Sequence, residues 1–113
     1  MNEDQMIQFY ERRGTYPECG EGWYQLILDL DGKISSIEPG YRVDQVKEKF
    51  GGLRFYYDQI NINDDDRERV DKLVDAAEEK SFTICEVCGV SDSTVTTSGH
   101  SWVKTLCAEH RNK

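Results

Sequence analysis

Four metal-ligating side chains near the C-terminus constrain this chain most strongly. Cys85 and Cys88 form one pair, Cys107 and His110 form the second, and two residues separate the members of each pair. This spacing lets one tight turn, or the first turn of a helix, direct both side chains of a pair at a single point. Three thiolates and one imidazole complete a tetrahedral Zn²⁺ site of the structural type. The sequence therefore predicts a Zn²⁺ site that leaves no ligand position for a catalytic water.

The segment between the two pairs is typical of a zinc-stabilised tail. Gly89 follows Cys88 at the point where a metal-binding knuckle favours a positive φ angle. Residues 94–106 place β-branched residues on both sides of a Ser-Gly turn, which predicts a hairpin, and a short helical turn is expected to carry the second pair. Knuckle, hairpin and helix start indicate a treble-clef or zinc-ribbon arrangement. A disulfide or free thiols are the alternative, but no βαβ unit surrounds the first pair as in a redox motif.

The charge of the chain is acidic and unevenly placed. The net charge is −8 at pH 7, and all of it arises in residues 1–80, because residues 81–113 carry three basic and three acidic residues. Nucleic-acid-binding surfaces rely on Lys and Arg to displace counterions from phosphates. The charge therefore disfavours nonspecific nucleic-acid binding and favours a basic protein partner.

The expected compartment is the cytoplasm. The acidic segment from Met1 to Gln5 lacks the basic start and apolar core of a signal peptide, and no apolar run approaches the roughly 20 residues of a membrane span. Cys19 is the single cysteine outside the metal pairs, so the cysteines do not form a disulfide framework. We interpret Cys19 as a small loop or core residue, since no His or Lys neighbours it in sequence to lower its pKa.

The sequence predicts a single α+β domain over residues 1–113, with an acidic body at 1–80 and a zinc-stapled tail at 81–113. The first helix is expected over residues 2–13, with Asn2 as its cap and Gly14 as its end. Its predicted apolar side consists of Met6, Ile7, Phe9 and Tyr10.

Residues 21–38 permit two interpretations. Five apolar residues share one helical stripe at spacings of four, three, four and three, namely Trp23, Ile27, Leu30, Ile34 and Ile37. Asp31-Gly32 would also make a good hairpin turn between two short strands. The helix is favoured because the stripe holds across roughly four turns, although Gly32 would cost it about 1 kcal/mol.

A β-hairpin is predicted over residues 41–58, with the positive φ angles of its turn at Gly51-Gly52. Alternation in the second strand places Leu53, Phe55 and Tyr57 on one face and the neighbouring side chains on the other. Four residues of the second face and the facing strand are candidates for a presented binding site, namely Lys47, Lys49, Arg54 and Tyr56. A solvated strand face with weak ion pairs is the alternative.

A charged helix is predicted from about Asp64 to Lys80, capped by Asn63 or Asp64. Its buried stripe is expected to consist of Val70, Leu73, Val74 and Ala77. Five of its acidic residues are candidates for contact with a basic partner, as in a nucleic-acid mimic, namely Asp64, Asp65, Glu68, Asp71 and Glu79. The alternative is an ordinary solvated helix face.

No complete catalytic constellation is present. Of the two histidines, His110 is assigned to the metal and His100 lies at a predicted hairpin tip, which is too flexible for a preorganised site. Phe50-Gly51-Gly52 lacks the Walker pattern of a phosphate loop. The chain is therefore expected not to be an enzyme, and a small enzyme that uses Lys47, Glu48 and Arg54 is the least favoured interpretation.

Four segments of the sequence resemble a family of small, largely uncharacterised proteins from phages and prophages. The segments are Gly22-Trp23-Tyr24, the twelve residues from Gln45 to Tyr56, Cys85 to Gly89, and Trp102 to His110. The central run is the most specific of them. The resemblance implies a phage-type accessory protein with an α+β body and a zinc-binding tail, and it brings no assigned activity or catalytic residue.

Resemblance and charge together lead us to expect a non-catalytic protein that binds a host protein in the host cytoplasm. Inhibition or modulation of a host enzyme or defence component would fit this role. The alternative class is a nucleic-acid-binding zinc module. It would use the basic residues of the tail together with those of the hairpin, namely Lys104, Arg111, Lys113, Lys47, Lys49 and Arg54.

Overall fold

A computed structural model describes residues 3–99 and 102–111, so Asn2, His100 and Lys113 lie outside the described residues. The α+β prediction is confirmed, with two separate two-stranded antiparallel sheets in this part of the chain. In chain order, the elements are α1 (Glu3–Arg13), a 3₁₀ turn (Glu21–Trp23), α2 (Tyr24–Ser35), β1 (Val43–Lys49), β2 (Gly52–Tyr57), α3 (Asp64–Ser81), β3 (Thr96–Ser98), β4 (Lys104–Leu106) and α4 (Ala108–Arg111). None of the described helices combines the length and apolar character needed to cross a bilayer.

The helical interpretation of residues 21–38 is correct, although the helix itself is shorter. Trp23, Ile27 and Ile34 are fully buried on the predicted stripe, and α2 occupies residues 24–35 behind the 3₁₀ turn. Gly32 lies inside α2 with open space where a side chain would be. The alternative turn does not form, because Asp31 is buried and binds Arg13 of α1.

The predicted position of α1 is correct, but half of its predicted apolar side is wrong. Met6 and Phe9 are fully buried, whereas Ile7 and Tyr10 are exposed. The third buried residue of α1 is Arg13. Met6, Phe9 and Arg13 share one stripe of the helix, and Arg13 can be buried there because Asp31 supplies a counter-charge. With this stripe facing the core, Ile7 and Tyr10 face solvent.

The predicted hairpin forms, and its turn lies one residue earlier than expected. The register pairs Val46 with Phe55 and Lys49 with Gly52, and Leu53, Phe55 and Tyr57 all face the core as predicted. The positive φ angles occur at Phe50 (54°) and Gly51 (85°). Gly52 instead belongs to β2, where a Cβ would collide with the ring of Phe82. A left-handed conformation at Phe50 costs about 1–2 kcal/mol, and its side chain is 69% exposed.

Helix α3 covers the outer edge of β2. The side chain of Asn63 accepts the N–H of Asp66 at 2.9 Å, which identifies Asn63 as the cap. Val70, Val74 and Ala77 are buried as predicted, and Leu73 is partly buried.

Two side chains near the C-terminus of α3 satisfy the free edge of β2. Ser81 Oγ accepts the N–H of Leu53 at 2.9 Å, and Glu78 Oε2 accepts the N–H of Phe55 at 2.9 Å. On the other side of the sheet, the N–H of Glu18 donates to the carbonyl of Val46 at 2.8 Å. These hydrogen bonds occupy edge groups that would otherwise pair with another strand.

Candidate metal centre

The four predicted ligands converge on one point. The ligand atoms of Cys85, Cys88, Cys107 and His110 all lie within 4.8 Å of one another. The sulfurs of Cys88 and Cys107 are 3.9 Å apart, and His110 Nδ1 lies 3.2 Å from the sulfur of Cys107 and 3.6 Å from that of Cys85. Metal–sulfur bonds of about 2.3 Å in a tetrahedron place two sulfurs about 3.8 Å apart. The donor set and its spacing therefore fit a metal ion.

The first pair lies on a knuckle. The N–H of Gly89 donates to the carbonyl of Cys85, and the N–H of Cys85 donates to the carbonyl of Val90, both at 2.9 Å. Gly89 has the predicted positive φ, at 84°. Burial raises the pKa of the Cys85 thiol, but backbone N–H groups of the ligand loops outweigh burial and lower it to about 6. The knuckle thus favours a thiolate, which is the form of cysteine that binds metals.

The second pair lies where β4 passes into α4. Cys107 follows β4 directly, and the N–H of Arg111 donates to its carbonyl at 2.9 Å, which forms the helical turn that carries His110. The predicted hairpin between the pairs is confirmed, and Thr97 pairs with Thr105 in β3 and β4. Knuckle, hairpin and helix therefore follow one another in the order of a treble clef.

The knuckle docks onto the start of α2. The N–H of Gly22 donates to the carbonyl of Glu86 at 2.7 Å, and the indole N–H of Trp23 donates to the carbonyl of Ile84 at 2.9 Å. A Cβ built on Gly22 would collide with the carbonyl oxygen of Cys85. The absence of a side chain at Gly22 therefore lets the backbone that carries a metal ligand approach the body.

The turn of the body hairpin makes a second contact with the tail. The carbonyl of Gly51 accepts a hydrogen bond from Thr105 Oγ1 at 2.6 Å. Lys104 Nζ lies 3.1 Å from Glu48 and 3.5 Å from Glu86. The 3₁₀ turn before α2, the body hairpin and the knuckle therefore meet at one interface beside the candidate metal centre.

We expect Gly22→Ala to destabilise the metal-loaded protein by about 1–3 kcal/mol, the usual cost of forcing extra volume into a packed contact. Gly32→Ala is the matched control, because that site is open and helical, and it should stabilise the protein by up to about 1 kcal/mol. Denaturant unfolding of both variants measures the difference. Equal stability of Gly22→Ala and the wild-type chain would contradict the close approach of knuckle and body.

The candidate acidic residues of α3 differ in their environments. Asp64, Asp65 and Glu68 are exposed, and Asp64 lies 3.0 Å from Arg67. Asp71, by contrast, is half-buried and accepts the hydroxyl hydrogen of Tyr57 at 2.5 Å. Burial, and then this hydrogen bond, raise the pKa of Tyr57. Asp71 is therefore a structural partner of β2 as well as a member of the acidic helix.

The basic candidates of the hairpin share one face of the two-stranded sheet, but the group considered for an enzyme does not. Lys47 lies directly opposite Arg54 in the register, and Tyr56 is 46% exposed. Lys49 is exposed, with its ammonium 5.6 Å from the ring centre of Phe50. Glu48 projects to the opposite face of the strand, where it accepts the N–H of Gly51 at 2.8 Å. The group of Lys47, Glu48 and Arg54 considered for an enzyme is therefore split between two faces.

Two basic candidates of the tail that the structure describes, Lys104 and Arg111, already have partners. Lys104 binds two carboxylates, and Arg111 donates to the carbonyl of Thr94 at 2.7 Å and to Thr96 Oγ1 at 2.9 Å. Desolvation lowers the pKa of Lys104, but the interactions with Glu48 and Glu86 outweigh it and raise the pKa. These cations stabilise the tail, which reduces what they can contribute to a nucleic-acid surface.

The sequence did not predict the environments of two residues near the metal centre, Cys19 and Glu86. Burial, with the fields of Glu86 and Glu48, raises the pKa of Cys19 to about 12, so its thiol stays protonated. Sequence reasoning missed the role of Glu86, whose Oε2 accepts the N–H of Gly20 at 2.9 Å and whose Oε1 lies 3.5 Å from Lys104 Nζ. No local pattern indicates the contact with Gly20, because the two residues are 66 positions apart.

Comparisons of the chain with protein-family models, with curated proteins and with solved structures found no match.

Proposed function

We propose that this protein is a non-catalytic binding protein, in which Zn²⁺ at the metal centre holds the tail against an acidic body that binds a basic surface of another protein. The resemblance to phage proteins directs this proposal toward a host protein, such as an enzyme or defence component, in the host cytoplasm. The partner would be inhibited or modulated by occlusion of its basic surface.

The donor set supports Zn²⁺ as the metal. Three thiolates and one imidazole in tetrahedral spacing suit this ion, which has no geometric preference of its own. The four ligands fill its coordination sphere, so the chemistry that Zn²⁺ supplies here is structural cross-linking. Backbone N–H groups of the ligand loops stabilise the thiolate charge of Cys85. The contacts of Gly22 and Gly51 attach the cross-linked tail to the body.

The observation that carries the binding proposal is the exposed acidic face of α3. The helix contains eight acidic and four basic residues, so its excess of four negative charges is half of the net charge of the chain. We define its outer face by Asp65, Glu68 and Glu79, which are exposed and share one helical stripe. Lys72 lies 3.6 Å from Glu68 on this stripe, but an exposed pair of this kind neutralises little of the field.

An acidic face of this kind acts through electrostatic steering. Complementary charge accelerates the encounter of two proteins by about 10–1000-fold at low ionic strength. The effect falls with added salt because exposed charges are screened. Shape and apolar contact must supply the remaining affinity, since surface charge contributes more to association rate than to affinity.

The test is a charge reversal on the outer face. A partner is captured from bacterial lysate with the zinc-loaded chain, and its association rate is measured at two salt concentrations. We expect Asp65→Lys, Glu68→Lys and Glu79→Lys together to slow association by about tenfold at low salt and to abolish most of the salt dependence. An unchanged rate would overturn the role of the acidic face. Duplex DNA bound with a steep salt dependence would instead support the nucleic-acid module.

A further inference from the structure

A groove of about 520 Å³ lies between the end of β2 and α3. It adjoins the outer face of α3: Asp71 and Glu78 line the groove, Asp75 lies at the boundary one turn from Glu79, and none of the three residues that define the outer face lines it. We call it the β2–α3 groove, and its carboxylates are Asp44, Asp58, Asp71, Asp75 and Glu78.

The β2–α3 groove has apolar walls as well as charge. Phe55 and Val74 are buried beneath it, and Tyr56 and Ile60 stand at its rim, 46% and 90% exposed. Ile60 is the most exposed large apolar residue in the described part of the chain. Asp58 Oδ1 accepts the backbone N–H of Ile60 at 2.8 Å, within a local turn. The apolar side chain of Ile60 thus lies exposed beside the groove carboxylates.

The charge of the groove is uncompensated. Among the described residues, no Lys or Arg lines it, and no ion pair there involves Asp44 or Asp75. Burial raises the pKa of the Glu78 carboxyl and outweighs the lowering by the N–H of Phe55 and by the charge of Arg54. A cation placed in the groove would relieve this unfavourable concentration of negative charge.

The dimensions argue against a bare metal ion as the ligand. Within residues 3–99 and 102–111, the Cys and His cluster at the metal centre is the one group of three or more ligands close enough to share an ion. The groove carboxylates are spread along its walls. A ligand that reaches several of them must be larger, and it must also contact the apolar rim.

The free edge of β2 determines how such a ligand can bind. Glu78 and Ser81 already accept the outward N–H groups of Phe55 and Leu53. An added strand would have to displace both side chains, so β-augmentation is disfavoured. Recognition must therefore proceed through side chains, as when an amphipathic helix lies in a groove.

We infer that the β2–α3 groove binds an amphipathic, basic segment of the partner protein. An apolar residue of the segment packs on Ile60 and Tyr56, and a Lys or Arg enters between Asp44 and Asp75, with Tyr56 available for a cation–π contact. This inference rests on the proposed function and assigns the surface through which the acidic body binds. The charge complementarity selects a basic segment, and the apolar rim selects an amphipathic one over a purely cationic one.

The experiment compares Asp75→Lys with Glu79→Lys in the zinc-loaded full chain. Both reversals change the charge equally, both sites are exposed, and the residues lie one turn apart on α3, but only Asp75 lines the groove. The probes are an amphipathic helical peptide of leucine and lysine and an oligolysine peptide of equal charge. Circular dichroism checks that both variants keep the wild-type fold.

We expect the leucine–lysine peptide to bind the wild-type chain more tightly than oligolysine does. Asp75→Lys should weaken binding of the leucine–lysine peptide by about tenfold, the effect of losing one close charge pair. Glu79→Lys should weaken it by less than about threefold, because Glu79 does not line the groove and an exposed charge without a direct, desolvated contact contributes little. Ile60→Ser should weaken binding of the leucine–lysine peptide but not of oligolysine. Ile7→Ser, at an exposed site on α1, should leave the affinity for both peptides unchanged.

Two results would overturn the inference. Equal weakening by Asp75→Lys and Glu79→Lys would show that the peptide responds to a diffuse acidic field, which leaves the proposed function standing without the groove. Failure of both peptides to bind at low salt would reject the groove as a site for basic segments. The proposed function would then be decided separately by the association rate of the captured partner and its outer-face variant.

Discussion

A Cys88→Ser variant, purified under reducing conditions, is expected to contain far less than one Zn²⁺ per chain and to lose the ordered structure of residues 82–99 and 102–111. Cys88 is an exposed member of the candidate metal cluster, and its sulfur lies 3.9 Å from that of Cys107. Its replacement therefore removes a metal bond with little loss of packing. Structural zinc binding contributes about 10–16 kcal/mol in small zinc-binding peptides, so loss of one ligand removes much of what holds this tail. Elemental analysis and amide hydrogen exchange measure the two effects.

Cys19→Ala is the matched control, because it removes a thiol that lies outside the metal cluster. This variant should keep one equivalent of metal and a protected tail. Chelation of the wild-type chain should reproduce the Cys88→Ser phenotype, and added Zn²⁺ should reverse it. Full metal content in Cys88→Ser, or none in reduced wild-type protein, would contradict the assignment.

Loss of metal should also be detectable in the body. The indole of Trp23 is fully buried and donates to Ile84, three residues after the end of α3 and immediately before the knuckle. Trp102 is already 74% exposed, so a Trp102→Phe background makes Trp23 the reporter. We expect its emission to shift to longer wavelength as the knuckle separates from Gly22.

Features set by neighbouring residues were predictable from the sequence. The bounds of α3 differ by one residue from the prediction because its cap, its acidic first turn and its apolar stripe are all local. The cluster of four candidate metal ligands was predictable for the same reason, since each pair lies within one turn of chain. Alternation along β2 gave Leu53, Phe55 and Tyr57 as its buried face.

Features set by distant contacts were not predictable in this way. Turn propensity places both Gly51 and Gly52 in the turn of the hairpin. Gly52 instead belongs to β2, because only a glycine fits there against the ring of Phe82. The turn therefore includes Phe50, which adopts the left-handed conformation. The hydrogen bond between Asp71 and Tyr57 joins two elements whose relative position was unknown. The packing of Gly22 beneath the knuckle likewise depends on residues more than sixty positions away.

The largest omission was a buried ionic network between α1 and α2. Arg13 Nε donates to Asp31 Oδ1 at 2.7 Å, and the hydroxyl of Tyr41 donates to the same oxygen at 2.5 Å. Arg13 also donates to the carbonyls of Pro39 and Tyr41 at 2.8 and 3.0 Å. Charged residues are usually assigned to the surface. The sequence pattern therefore gave α1 an apolar side without Arg13, and it considered Asp31 only as part of the alternative turn.

This network leads to the second large effect that we expect. Asp31→Asn keeps the shape of the side chain and removes its charge, so Arg13 remains buried without its counter-ion. Breaking a buried pair by removal of one partner costs about 3–5 kcal/mol. Asp29→Asn, at an exposed position of the same helix, should change stability by less than about 0.5 kcal/mol. Urea unfolding at neutral pH measures both.

The pH dependence separates loss of charge from simple mispacking. Burial raises the pKa of Asp31, but hydrogen bonds from Tyr41, Arg13 and Arg12 outweigh burial and hold the pKa below its ordinary value of 3.8. A depressed carboxyl pKa contributes stability above the unfolded pKa and loses it as the pH falls through the folded pKa. The stability difference between the wild-type chain and Asp31→Asn should therefore be constant above about pH 5 and shrink as the pH falls below about 4. A difference that stays constant into this acid range would show that the side chain acts through packing alone.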